Sequence, residues 1–158
     1  MIVTNIIDKA IKYILVALMA VLSFLGVFQV VGRAIGVVPA WTEEAIRFLF
    51  VWASCVGAAI GIKEHIHIGI DVIVNLLPKL GQKICASLVQ LILLGFDAFI
   101  IKVGFQMVAK TMTQASPALR LPMGYVYLAV PVMGILGIWY SVLEIIKLIR
   151  EKEAKADA

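Results

Sequence analysis

Two histidines and a carboxylate stand close together at His65, His67 and Asp71, residue types that ligate zinc or relay protons. Their spacing argues against a shared metal ion. Residues two apart on a helix point in different directions, so His65 and His67 cannot hold one ion without unwinding the chain. His67, Asp71 and Asn75 recur every four residues instead, and Ile66, Ile70, Ile73 and Leu77 form the opposing apolar side. That pattern predicts an amphipathic helix over about 66–77, lying at the membrane interface. The stretch HIHIGIDVIV also alternates as a strand would, but a lone strand beside a bilayer leaves backbone groups unpaired.

Asp97 is the other residue whose type invites chemistry, because an acid inside an apolar segment is a candidate for an ion or proton pathway. Its place near the expected outer end of that segment, shortly before Lys102, favours an interfacial acid that reaches water. An ion-coupling path also needs more intramembrane polar groups than this chain supplies. Cys55 and Cys85 fall in or beside apolar segments without paired spacing, which suggests neither a disulfide nor a zinc site. No phosphate-binding glycine loop and no nucleic-acid signature is present. The expectation is a chain with no catalytic residue, no metal, no other cofactor and no nucleic-acid partner.

The elements that must carry these residues follow from composition. Of 158 residues, 63% are hydrophobic and 15% charged, far more apolar than a soluble domain. The uncharged run 13–32 alone, at about 1.5 Å of rise per residue, crosses a hydrocarbon layer of about 30 Å. It is longer than a signal-peptide core and no small-x-small site follows it, so it reads as a retained anchor. Gaps between charges predict four membrane helices, about 13–31, 42–62, 84–101 and 122–143, in one all-α domain, with a polar tail at 148–158. The net charge of +4 comes from Lys and Arg that bracket the apolar runs. Lys9, Lys12, Lys63, Lys79, Lys83, Lys147, Arg150, Lys152 and Lys155 share one side, against Arg33, Arg47, Lys102, Lys110 and Arg120, which predicts both termini in the cytoplasm.

The second helix opens on WTEEAIR. Thr42 is suited to an N-cap, and Glu43 and Glu44 then lie on the first turn, where the helix dipole favours negative charge. Arg47 follows at pairing distance from both acids. Trp41 and Trp52 share a face with Ala45 and Phe48 and read as interfacial anchors. Ala53, Gly57 and Gly61 form a small-residue strip, and Gly134, Gly137 and Ser141 form another in the fourth segment, each suited to close helix packing. Pro122 fits the first turn of the fourth helix, while Pro131 inside it frees a carbonyl and predicts a kink.

WTEEAIRFLFVWASCVGAAIGIKEHIHIGIDVIVNLLP, followed by SPALRLPMGYVYLAVPVMG, resembles the two signature regions of the small membrane subunit of tripartite ATP-independent periplasmic (TRAP) transporters. The resemblance covers about 13–143. It rests on Trp41, Glu44, Arg47, Trp52, Gly57, His65 and Asp71 together with Ser116, Pro117, Leu119, Pro122, Tyr127 and Pro131. It implies a bacterial or archaeal uptake system of the inner membrane. A periplasmic binding protein captures a carboxylate such as sialic acid or a C4-dicarboxylate, and a large membrane subunit moves it with a sodium gradient. The small subunit, on this resemblance, carries neither the sodium nor the substrate site and braces the large one during an elevator motion. One departure stands out: Gly124 follows LPM where family members often carry an aromatic residue.

Trp41, Glu43, Glu44, Arg47, Trp52, Gly57, Gly61, His65 and Asp71 are the candidate subunit or interfacial contacts. Arg33, Lys110 and Arg120, on the expected outer side, are the candidates for touching the binding protein, and lipids surround the rest. Two rival readings predict different behaviour. A self-sufficient homo-oligomeric transporter or channel would use Asp97 as its coupling acid and work alone. A membrane enzyme or redox subunit would bind metal or haem through His65, His67 and Asp71.

Overall fold

The computed structural model describes residues 2–37, 39–63 and 79–154, and among these the chain is all-helical. Helix α1 spans Ile2–Ala34, α2 Ala40–Lys63, α3 Lys79–Thr111, the short α4 Gly124–Tyr127, and α5 Ala129–Ala154. Among the described residues, four stretches are long and apolar enough to cross a membrane: Ile6–Ala34, Ala40–Ile62, Leu88–Thr111 and Gly124–Leu143, the last combining α4 with the start of α5. Many of their large apolar side chains point outward, as in Tyr13, Phe24 and Val30 of α1 and Leu91 and Phe99 of α3. Water does not tolerate such a surface on this scale, and lipid or another membrane chain does. The interfacial helix expected over 66–77, and with it His65, His67 and Asp71, lies outside the described residues.

The helices run past their apolar cores. Helix α1 begins ahead of Lys9 and Lys12, and α3 continues beyond Lys102 and Lys110. Long basic side chains ride on helix ends that leave the hydrocarbon, so a charge marks a depth and need not end the helix. Thr42 is not the N-cap of α2. The helix already starts at Ala40, and the Thr42 hydroxyl donates 2.7 Å to the Pro39 carbonyl instead of accepting a first-turn amide. Pro122 likewise lies ahead of α4, in an isolated antiparallel bridge with Ala115. Pro131 falls in the first turn of α5, where it has no N–H for the Tyr127 carbonyl, and the helical run is interrupted at Leu128 between α4 and α5.

The chain groups into two compact units, Met1–Gly57 with Gly104–Ala129, and Ala58–Val103 with Val130–Ala158. In the first unit, α1 ends in a Schellman turn. Gly36 adopts φ +74°, the Val37 amide donates to the Gly32 carbonyl at 2.9 Å, and the Gly36 amide donates to Arg33 at 3.2 Å. Val108, Thr111, Ser116, Val126 and Ala129 are buried in this unit, as are Thr42, Ala53 and Val56 of α2. Gly124 lies so close to α3 that a Cβ there would sit 2.7 Å from Met112 Sδ and 3.1 Å from the Val108 carbonyl. The absence of an aromatic side chain at this position therefore has a steric reason.

In the second unit, α3 and α5 meet through glycines. A Cβ at Gly134 would lie 2.7 Å from Ile101 Cγ1 and 3.1 Å from the Asp97 carbonyl oxygen. Backbones approach this closely in membrane proteins where small residues line the seam. The strip read at Gly134, Gly137 and Ser141 thus packs within this chain.

Candidate functional site

Glu44 is the organising side chain of the first unit. It is carried on the first turns of α2, and its residue is only 8% exposed. Its Oε2 accepts hydrogen bonds from the Ala118 amide at 2.8 Å and the Leu119 amide at 2.9 Å. The Ser116 hydroxyl also bonds this carboxylate, and Arg47, one turn further along α2, supplies a favourable charge. A carboxylate is acceptor-only, and a turn whose amides face inward offers it donors at no side-chain entropy cost, so the match is charge-assisted.

The loop between α3 and α4 is built to present those amides. Gln114 receives the Met123 amide at 2.8 Å, the Ser116 amide donates to Leu121 at 2.9 Å, and the Arg120 amide donates to Ser116 at 3.1 Å. The Ser116 hydroxyl accepts the Leu121 amide at 3.1 Å, so Ser116 links loop and carboxylate. Arg120 pays for the tight turn with φ +53°, a conformation that costs an L-residue about 1–2 kcal/mol. Its side chain is exposed at the loop surface. The SPALRLP segment is therefore a rigid knuckle pinned from α2.

The remaining site candidates fall around this knuckle. Arg33 and Glu43, both exposed, form an ion pair at 2.9 Å, which takes Glu43 away from the helical pairing with Arg47 and takes up the Arg33 charge. Lys110 is exposed near the end of α3, Arg47 and Trp41 are exposed, and Trp52 is half-buried. Gly61 is half-buried, and a Cβ at Gly57 would meet nothing within 4 Å among the described residues.

Asp97 differs from the sequence reading. It is 1% exposed and set well inside the stretch Leu88–Thr111, so it is not an interfacial acid reaching water. The physical reason is packing: α5 lies over the Asp97 face of α3, and its backbone at Gly137 encloses the carboxyl. A Cβ at Gly137 would fall 2.7 Å from Asp97 Cγ and 2.8 Å from its Oδ1, so only glycine admits the carboxyl against α5. No group of three or more His, Cys, Asp or Glu side chains placed to hold a metal occurs among the described residues.

Residues 19–151 match the family model described as tripartite ATP-independent periplasmic transporters, DctQ component. A Haemophilus influenzae chain carrying the name of a TRAP transporter small permease protein is 32% identical over 135 residues, covering 84% of this chain and 83% of that one. The isethionate TRAP transporter permease protein DctMQ of Oleidesulfovibrio alaskensis is 35% identical over 130 residues, 77% of this chain but 20% of that protein. The C4-dicarboxylate TRAP transporter small permease protein DctQ of Rhodobacter capsulatus is 36% identical over 104 residues, 61% of this chain and 43% of that protein. With the signature knuckle folded onto α2 and four stretches able to span a bilayer, this multi-pass membrane chain belongs to the DctQ component family of TRAP transporters, as a small permease, a transport component and not an enzyme.

Proposed function

We propose that this chain braces a large membrane subunit in an importer of small organic anions, served by a soluble periplasmic binding protein. The observation that carries the reading is the match within the isethionate permease, where a segment like this chain makes up a fifth of the whole protein. The larger remainder of such a permease is the natural seat of transport. The outward apolar faces of α1 and α3 support the same reading, since they suit burial in lipid or against a larger membrane partner. Carboxylates such as C4-dicarboxylates or sialic acid are the proposed cargo, sodium the driving ion, and the large subunit the holder of both sites. This chain holds no cofactor and stays fixed while its partner's transport domain moves, in the inner membrane with both termini in the cytoplasm. The knuckle around Arg120 and Lys110 then faces the periplasm, on the side from which a binding protein docks.

The test is uptake of labelled anion into proteoliposomes containing this chain, its large partner, or both, with the binding protein supplied and a sodium gradient imposed. Uptake with both chains and none with either alone is expected. Uptake by this chain alone would overturn the brace and establish a self-sufficient transporter; undiminished uptake by the large partner alone would also overturn it.

A further inference from the structure

Asp97 sits in a seam where no salt bridge to it occurs among the described residues. Its Oδ2 has no hydrogen-bond partner among the described residues. The α5 surface against it presents Gly134 and Gly137, with Ser141 one turn beyond Gly137. Ser141 is 0% exposed, and its Oγ is unpartnered among the described residues as well. Two turns before Asp97 on the same face of α3, Gln90 is buried with an unpartnered Oε1. Lys102, the next charged residue along α3, is exposed. On α5, Tyr140 is buried and already partnered, and Glu144 stands about 10 Å of helix rise beyond Gly137.

Asp97 packs on α5 at Gly137, and neither Gln90 nor Ser141, buried on the same two helices, can supply a positive charge. An ionised carboxylate moved from water into such surroundings costs several kcal/mol or more unless it is paired, and the usual outcome is that the group neutralises. Two routes are open, a proton or a bound metal cation. A hard cation asks for about six oxygen ligands in a shell. The seam offers Asp97 glycine backbone on one side and apolar Ile101 beside it, with Ser141 a turn away. A proton needs no shell, and it leaves a carboxylic acid small enough to lie against Gly137.

We propose that Asp97 is a proton-holding site: a carboxylic acid kept neutral at neutral pH in the α3–α5 seam, closed to metal cations and locking the two helices together. The proton comes from water as the chain folds, and no covalent bond other than the O–H is made. The site is independent of the brace reading, because it concerns the protonation of one side chain within this chain.

The test is infrared spectroscopy of the full chain, purified with its large membrane partner and reconstituted into lipid vesicles at neutral pH. Wild type should show the carbonyl stretch of a carboxylic acid that is lost in Asp97→Asn, with the same intensity in sodium and in N-methylglucamine media. Labelling this chain with aspartate carrying 13C at its side-chain carboxyl separates aspartate from glutamate: the acid band should shift with the label, and the shifted band should be missing from labelled Asp97→Asn and Asp97→Ser. A carboxylate signal in place of the acid band, in both media, would overturn the proposal. So would an acid band that converts to carboxylate when sodium replaces N-methylglucamine, which would make the seam a sodium site.

Discussion

At the scale of single residues, the meaning of Glu44 lies in what is 74 and 75 positions away from it. Local spacing offered it a helix dipole and Arg47, and the charge of Arg47 does favour the carboxylate. No local rule indicates that its carboxylate pins the amides of Ala118 and Leu119. The signal that was available is the joint occurrence of Glu44 with Ser116, Pro117 and Leu119 in two separate signature stretches, which the fold brings to one point. Glu44→Gln keeps the shape but replaces the charge-assisted acceptor with a neutral one. Its expected effect is faster amide hydrogen exchange at 118 and 119, on the order of tenfold. Exchange elsewhere in α2 should stay unchanged, and unchanged rates at both amides would show that the carboxylate does not hold the knuckle. Arg120→Gly isolates the other contribution: it relieves the positive φ and removes the side chain, so the loop should remain protected while any binding-protein contact made by the guanidinium is lost. Weaker docking with an intact knuckle, measured by titrating the binding protein onto the reconstituted complex, is the expected result.

At the scale of elements, all four membrane helices were legible because apolar runs between charges are long, and a bilayer leaves few alternatives to a helix. Their ends were less legible. A helix terminus depends on where backbone groups find partners, as the Schellman turn at Gly36 and the early start of α2 at Ala40 show, and neither is written in hydropathy. The burial of Asp97 was illegible for a different reason: its spacing from Lys102 says nothing of what packs on it, and α5 encloses the carboxyl through Gly137. Gly36→Ala should destabilise the α1 terminus by about 1 kcal/mol, seen as a lower thermal midpoint of the purified chain, because alanine resists the left-handed conformation. Gly137→Ala forces α3 and α5 apart around the Asp97 carboxyl and should cost about 1–3 kcal/mol. Adding Asp97→Ala makes room for the new methyl group, so the double variant should lose less than the two single losses combined. Strict additivity in thermal unfolding would mean that the two residues do not share the seam.

At the scale of the whole molecule, the two small-residue strips have different uses. Gly134 and Gly137 are consumed by packing inside the chain, whereas a Cβ at Gly57 would meet nothing within 4 Å among the described residues. A helix that carries Ala53 and Ala59 buried, yet leaves Gly57 open, has room for a closely approaching neighbour that none of the described residues provides. A large permease subunit is the neighbour that the proposed brace requires. Gly57→Leu separates these possibilities because it should leave the isolated chain folded, with a stability change within about 0.5 kcal/mol, as an unpacked position allows. Recovery of the large subunit with the affinity-tagged chain should fall, since a bulky side chain now stands where backbones must approach. Wild-type recovery together with wild-type stability would assign the Gly57 face to lipid and move the brace contact to the exposed faces of α1 or α3. Loss of stability in the isolated chain would instead show that Gly57 is needed within the chain itself, which its open surroundings argue against.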